Sequence, residues 1–257
     1  KRIQTIIETN SRELQDDFKI YWNKSSIGRL VSSKDYLNPN IELLVDDILE
    51  QNQRQKLISF LEKWVKNKID TILKSLIDLK DLKEKNSSIK ALAYQLYEKN
   101  GVLKRAQVSE YLKKLGQNER KILRDLGVKF GRYHVFLYRL IKPDAVSLRT
   151  LLWKNYHQKY FNLKPPTFGL NFIDNDKIKN KNFMLLCGFE KFDNFYVRID
   201  ILERLFMQII NSNSEKKNEI KMIPEMLNLL GCNKDNFKKL LKNMDYKIIE
   251  KENEVFF

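Results

Sequence analysis

The sequence predicts a mainly α fold with small β elements, an α+β chain, and three observations carry that expectation. Apolar residues recur at helical spacing from Ile41 to about Leu82: first Leu44, Val45, Ile48 and Leu49, then Leu57, Ile58, Leu61, Trp64 and Val65, then Ile69, Ile72, Leu73, Leu76 and Ile77. Glycine (8) and proline (5) are scarce in the 257 residues, too few for an all-β sandwich with many tight turns. Short runs of aromatic and β-branched residues later in the chain alternate as strands do.

Residues 1–20 have a helical pattern that ends near Ile20-Tyr21-Trp22, and Gly28 and Asn38-Pro39 mark 21–39 as a loop or short strand pair. The long amphipathic helix of 41–82 breaks near Asn52 and fades into Lys83-Glu84-Lys85-Asn86. Ser87-Ser88 caps a short helix over 89–98, which Asn100-Gly101 stops. Arg105 to Leu115 reads as helix with Gly116 as its C-cap, and 117–126 as another ended by Gly127. Tyr133 to Leu137 is a strand; past Lys142-Pro143-Asp144 a helix runs to about Tyr160. After Pro165-Pro166, Phe168–Phe172 and Phe183–Leu186 look like strands, and Tyr196–Ile199 is a short strand or the entry to a helix over Asp200–Ile210. A polar loop (211–219) precedes two short helices, Ile223–Leu230 and Lys234–Asn243, joined at Gly231-Cys232, and the end alternates as a hairpin. Helix, helix, tight turn, helix and β-hairpin is the winged-helix order, with Lys234–Asn243 in the recognition position. The expected organisation is a helical part with a β or loop insert (1–88), a basic helix and strand segment (89–164) and a winged-helix-like C-terminal subdomain (165–257).

The net charge of +15 is not spread evenly. Residues 1–100 carry 18 basic and 15 acidic side chains, and 165–257 carry 15 and 14. Residues 101–164 carry 15 basic and 4 acidic ones, a net of +11, with six of the twelve arginines. AT-rich codon drift raises Lys, Asn and Ile everywhere; it does not focus arginine in one quarter of a chain. A local field of this sign recruits phosphate backbones. Lys104, Arg105, Arg120, Lys121, Arg124, Lys129, Arg132, Lys142 and Arg149 are the candidate contacts, with Tyr133 for stacking on a base. Arg120 and Arg124 lie one helical turn apart, and Gly131 lets the backbone approach a ligand closely. Lys238, Lys239 and Lys242 on the recognition-position helix form a secondary set, diluted by Asp235 and Asp245.

Catalytic signatures are missing. There is no G-x-x-x-x-G-K-S/T, G-x-G-x-x-G, H-E-x-x-H or G-x-S-x-G, so no catalytic residue, metal ligand or cofactor is expected within this chain. His134 keeps no defined spacing to a nucleophile or carboxylate and is read as structural or stacking; His157 is read as a surface or packing residue. The adjacent carboxylates Asp16-Asp17 and Asp46-Asp47 point to different sides of helices. Cys187 and Cys232 stand apart, which fits a reduced, cytoplasmic compartment, and no run reaches the roughly 18 apolar residues of a membrane span. The start at Lys1 carries no Met or signal-peptide pattern and reads as a piece of something longer.

Several phrases occur together in a distinctive order: Leu123-Arg124-Asp125-Leu126-Gly127-Val128-Lys129-Phe130-Gly131, His134-Val135-Phe136, Leu140-Ile141-Lys142-Pro143-Asp144-Ala145, Leu148-Arg149 and Leu152-Trp153. Gly188-Phe189, Val197 to Leu205 and Leu229-Leu230-Gly231-Cys232 continue the series. Over about residues 20–250 this resembles the C-terminal region of alphaproteobacterial superfamily-two ATP-dependent RNA helicases related to the mitochondrial degradosome RNA helicase. The resemblance implies a parent polypeptide whose motor domains bind ATP and magnesium outside this sequence. It implies an accessory region that guides single-stranded RNA, or DNA, with Arg120, Lys121, Arg124, Lys129 and Arg132 as strand contacts. The chain departs from that pattern in being rich in Lys, Asn and Ile where the relatives tend to carry Arg, Ala and Leu. A winged-helix DNA-binding regulator and a protein-interaction module built on the 41–82 helices are the alternative expectations.

Overall fold

A computed structural model describes residues 2–45, 49–83, 86–174, 180–212, 219–251 and 254–257. The expectations for Asp46-Asp47, Ile48, Glu84, Lys85 and most of the 211–219 loop lie outside the described residues. In chain order the elements are α1 (Arg2–Glu8), β1 (Arg12–Leu14), β2 (Lys19–Trp22), β3 (Ser25–Val31), β4 (Asn40–Leu43), α2 (Gln51–Ile72), α3 (Lys74–Lys80), α4 (Ser87–Glu98), β5 (Val102–Lys104), α5 (Ser109–Lys113), α6 (Gln117–Asp125), β6 (Val128–Phe130) and β7 (His134–Leu137). They continue with α7 (Pro143–Tyr156), β8 (Phe172–Ile173), α8 (Lys181–Leu186), β9 (Phe189–Phe192), β10 (Phe195–Arg198), α9 (Ile199–Ser212), α10 (Pro224–Leu230), α11 (Lys234–Asn243), β11 (Ile249–Lys251) and β12 (Glu254–Phe256). The α+β character holds. The chain forms two compact units, Lys1–Lys74 with Asp144–Lys164, and Ser75–Pro143 with Pro165–Phe257.

In the first unit, β1 to β4 form an antiparallel meander in sequence order. The helix expected over 1–20 therefore stops at Glu8, and the chain turns into strand. Asn23 and Lys24, with φ of 45° and 66°, make the two-residue turn between β2 and β3, a geometry that matches the twist of paired strands. Ile41 and Leu43 belong to β4, where burial alternates strictly, and not to the helix. That helix starts at Gln51, and its break falls at Leu73 and not at Asn52. α2 buries Leu57, Leu61, Val65 and Ile69, four residues apart on one face.

In the second unit, the Asn86 side chain, and not Ser87-Ser88, caps α4 by accepting from the amides of Ser88 and Ile89 at 2.9 and 3.2 Å. Asn100 and Gly101, both with positive φ, end that helix. The segment expected to be helix from Arg105 is preceded by β5 and opens with a 3-10 turn over Arg105–Val108. Gly116 has φ −75° and stands at the start of α6, so it is not a left-handed C-cap. β5, β7 and β6 pair antiparallel with β7 central and every one of its residues buried. β8, β10 and β9 form a second antiparallel sheet around β10. Phe183–Leu186, expected as strand, lies in α8, because the Asn180 side chain accepts from the Phe183 amide at 2.9 Å and starts a helix. The α9, α10 and α11 helices and the β11–β12 hairpin share one core that includes Val197, Leu202, Leu205, Met226, Leu230, Phe237, Leu240 and Val255.

Candidate nucleic-acid interface

The turn between β6 and β7 is fixed by a carboxylate from α9. Glu203 accepts the backbone N–H groups of Arg132, of Tyr133 at 2.9 Å and of His134 at 2.9 Å. Three successive amides around one anion form a nest, a concave donor surface that favours negative charge. Gly131 is what admits it: a Cβ there would stand 2.3 Å from Glu203 Cδ. The close approach expected at Gly131 is thus taken by the protein's own carboxylate. Arg105 completes the turn, its Nη1 donating to the Gly131 carbonyl at 2.7 Å and its amide to the Tyr133 carbonyl at 2.8 Å.

His134, on the central strand, lies under this turn with its side chain only 3% exposed. Nε2 is 3.0 Å from Glu190 Oε2, and Nδ1 is 3.6 Å from Glu203 Oε1, an ion-pair distance beyond hydrogen-bond reach. Lys104 Nζ closes the chain of charges at 2.9 Å from Glu190 Oε1. Burial pulls the imidazole pKa down, but the bond to Glu190 and attraction by both carboxylates outweigh it, so His134 sits above its ordinary value. Both carboxylates resist burial in the same way and lie below theirs. Through its contacts with Glu190 on β9 and Glu203 on α9, the His134 imidazole ties two sheets and a helix together. Closed to solvent, His134 cannot stack on an external base.

Beside this core lies a cleft of about 720 Å³ lined by Arg105, Lys129, Phe130, Gly131, Arg132, Phe136, Tyr138, Lys142, Arg198, Asp200, Glu203, Arg204, Phe206 and Met207. Its two acids are already engaged. Glu203 serves the amide nest, and Asp200 takes Arg198 through two contacts of 2.7 and 3.3 Å. Lys129, Arg132 and Arg204 are exposed, and their side chains make no hydrogen bond or ion pair among the described residues. The Arg132 guanidinium lies 5.7 Å from the Phe206 ring centre. Arg120 and Arg124, from α6, lie 5.8 and 5.6 Å from the Phe130 ring centre. Lys142 lies over the Tyr138 ring and donates to its hydroxyl at 2.8 Å. Free cations beside aromatic rings can hold phosphate and base together.

The expected contacts divide accordingly. Lys129, Arg132 and Lys142 line the cleft with free or surface-directed charge, while Lys121 and Arg124 are exposed on α6. Arg120 is committed to the fold, donating to the carbonyls of Leu115 and Leu112 at 3.2 and 2.9 Å. Lys104 is tied to Glu190, and Arg105 to the Gly131 turn. Arg149, in the middle of α7, is fully buried and offers no charge to a strand. Tyr133 packs edge-on against Phe206 at 5.7 Å; burial and the neighbouring Tyr246 push its hydroxyl pKa up, and the ring is not free to stack. Lys238 pairs with Glu250 at 2.7 Å, which leaves Lys239 and Lys242 exposed on α11. Among the described residues no group of three His, Cys, Asp or Glu could hold a metal ion, and no helix is long and apolar enough to cross a membrane.

Sequence reasoning missed the wall formed by the end of β10 and by α9: Arg198, Asp200, Glu203, Arg204, Phe206 and Met207. A signal was present, since Arg198 and Arg204 are the two arginines of residues 165–257 and both line the cleft. Comparison with protein-family models, with curated proteins and with solved structures finds no match to this chain.

Proposed function

We propose that this chain is the C-terminal accessory, nucleic-acid-binding region of a cytoplasmic ATP-dependent RNA helicase and guides single-stranded RNA, or DNA, to motor domains of the same polypeptide. The carrying observation is that three uncommitted cations, Lys129, Arg132 and Arg204, face one cleft with Phe130, Tyr138 and Phe206. Local charge supports it, as does the series of phrases that resembles helicases related to the mitochondrial degradosome enzyme. ATP and magnesium belong to that motor, and this region acts on the strand without hydrolysing anything. Affinity comes from backbone charge, so it falls with salt and carries no sequence code.

The chain order of α9, a bridge from Lys221 to Phe256, α10, α11 and the β11–β12 hairpin supports a winged-helix-like C-terminal subdomain. It also favours a second reading, a DNA-binding regulator that uses α11. The pairing of Lys238 with Glu250 weakens that reading, because it ties a recognition-position cation to the hairpin. Filter binding of a single-stranded RNA at several salt concentrations tests the first reading. Binding at low salt with a steep salt slope is expected; no binding at low salt, or a flat slope, overturns it. Preference for duplex DNA, lost on charge reversal at Lys239 and Lys242, would establish the second.

A further inference from the structure

We infer that the cleft beside the β6–β7 turn takes one unpaired nucleotide, its base against Tyr138, Phe206 and Met207 and its flanking phosphates on Lys129, Arg132 and Arg204. This rests on the reading of the region as a single-strand guide and names what the cleft itself holds. A surface that only tracks a backbone needs cations and no cavity. Here the cations border a concavity of about 720 Å³, well within the roughly 300–1,000 Å³ of small-molecule sites. Tyr138 and Met207 remain 37% and 53% exposed at its wall. Such apolar surface has no role in phosphate contact and suits the face of a base, which every base presents alike. Arg132 over Phe206 offers a planar cation for the same stack. The acids of the cleft do not repel a phosphate, since Asp200 is paired with Arg198 and Glu203 is surrounded by amides. A duplex keeps its bases stacked inside and presents only backbone, so it can touch the rim but cannot fill the cavity.

The test uses the whole chain and three fluorescent probes of one length: oligouridylate, the same backbone with its central residues abasic, and a blunt RNA duplex. Anisotropy titrations at fixed salt are expected to show the abasic strand and the duplex binding at least about five-fold more weakly than the uridylate, the loss expected for an unstacked base. The salt slope should be the same for uridylate and abasic strands. A Tyr138→Ser/Met207→Ser double variant, altered only at exposed positions and checked for an unchanged melting transition, should bind uridylate no better than the abasic strand. Equal binding of uridylate and abasic strand by the natural protein overturns the nucleotide site while leaving strand guidance intact. Equal binding of duplex and uridylate does the same. Loss of all binding at low salt would sink the strand-guiding reading itself.

Discussion

Replacing Gly131 by Ala inserts a methyl group where the Glu203 carboxylate sits, and the consequence can be worked from the structure. The new Cβ would lie 2.3 Å from Cδ and 2.5 Å from both carboxylate oxygens, so the carboxylate must retreat by about 1 Å to reach ordinary contact. That movement stretches its bonds to the amides of Arg132, Tyr133 and His134 together. A hydrogen bond to a charged group contributes about 1.5–3 kcal/mol, and three that share one carboxylate are not additive. Gly131→Ala should therefore cost about 2–3 kcal/mol. Glu203→Ala, which leaves three amides without their acceptor and the buried His134 with Glu190 alone, should cost about 3–5 kcal/mol. In the Glu203→Ala background the Gly131 change should cost under about 0.5 kcal/mol, because the three nearest atoms it meets all belong to Glu203. Urea unfolding followed by circular dichroism measures the cycle; at about 2 kcal/mol per M, Glu203→Ala moves the midpoint down by about 1.5–2.5 M. Amide exchange at Tyr133 and His134 should accelerate in both single variants. Costs that simply add, within about 0.5 kcal/mol, would refute the nest as the reason for the glycine.

Three further outcomes follow from the same geometry. The His134 pKa is raised on folding, so its stabilisation is complete below about pH 6.5 and is lost as pH rises through the folded value, whereas Glu190 and Glu203, lowered on folding, lose theirs as pH falls below about 4.5. The urea midpoint should thus fall as pH rises above about 6.5 and should fall less in His134→Gln; an equal fall in both proteins counts against the charged network. Arg120→Ala should lower stability by about 1.5–3 kcal/mol, through the lost bonds to the Leu112 and Leu115 carbonyls, while the exposed Lys121→Ala changes it by less than about 0.5 kcal/mol, both read by urea unfolding. Gly101→Ala forces a side chain to φ 81° and puts its Cβ 2.5 Å from Leu140 Cδ1, so it should destabilise by at least about 2 kcal/mol; a melting temperature unchanged within about 2 °C would show that the turn relaxes.

The helical elements were legible where a long run kept one period or a clear stop followed, as with α2, α4 ended by Asn100-Gly101, and α11. Short strands were not. β1 has three residues and β2 and β4 four each, too few for alternation to stand out beside a neighbouring helical pattern. The apolar run of α8 fits helix or strand equally by periodicity, and the Asn180 cap that decides it is a single side-chain contact. At the site, charge focus found Lys129 and Arg132, which remain uncommitted. It could not tell them from Arg105, Arg120 and Lys104, whose charges are spent on carbonyls and on Glu190, because those partners are set by folding. Pairings such as Gly131 with Glu203 span some seventy residues, and a glycine in a basic strip does not reveal which anion approaches it.

The most direct measurement is the salt dependence of single-stranded RNA affinity in three proteins: the natural chain, a Lys129→Gln/Arg132→Gln/Arg204→Gln variant and a Lys239→Gln/Lys242→Gln variant. Each phosphate neutralised on a single strand contributes about 0.7 to the slope of log affinity against log salt. Loss of the three cleft cations should therefore flatten that slope by about 2, while the α11 pair leaves it within about 0.3. An unchanged slope in the cleft variant, with the flattening appearing in the α11 variant, would contradict the cleft as the place where this protein holds a strand.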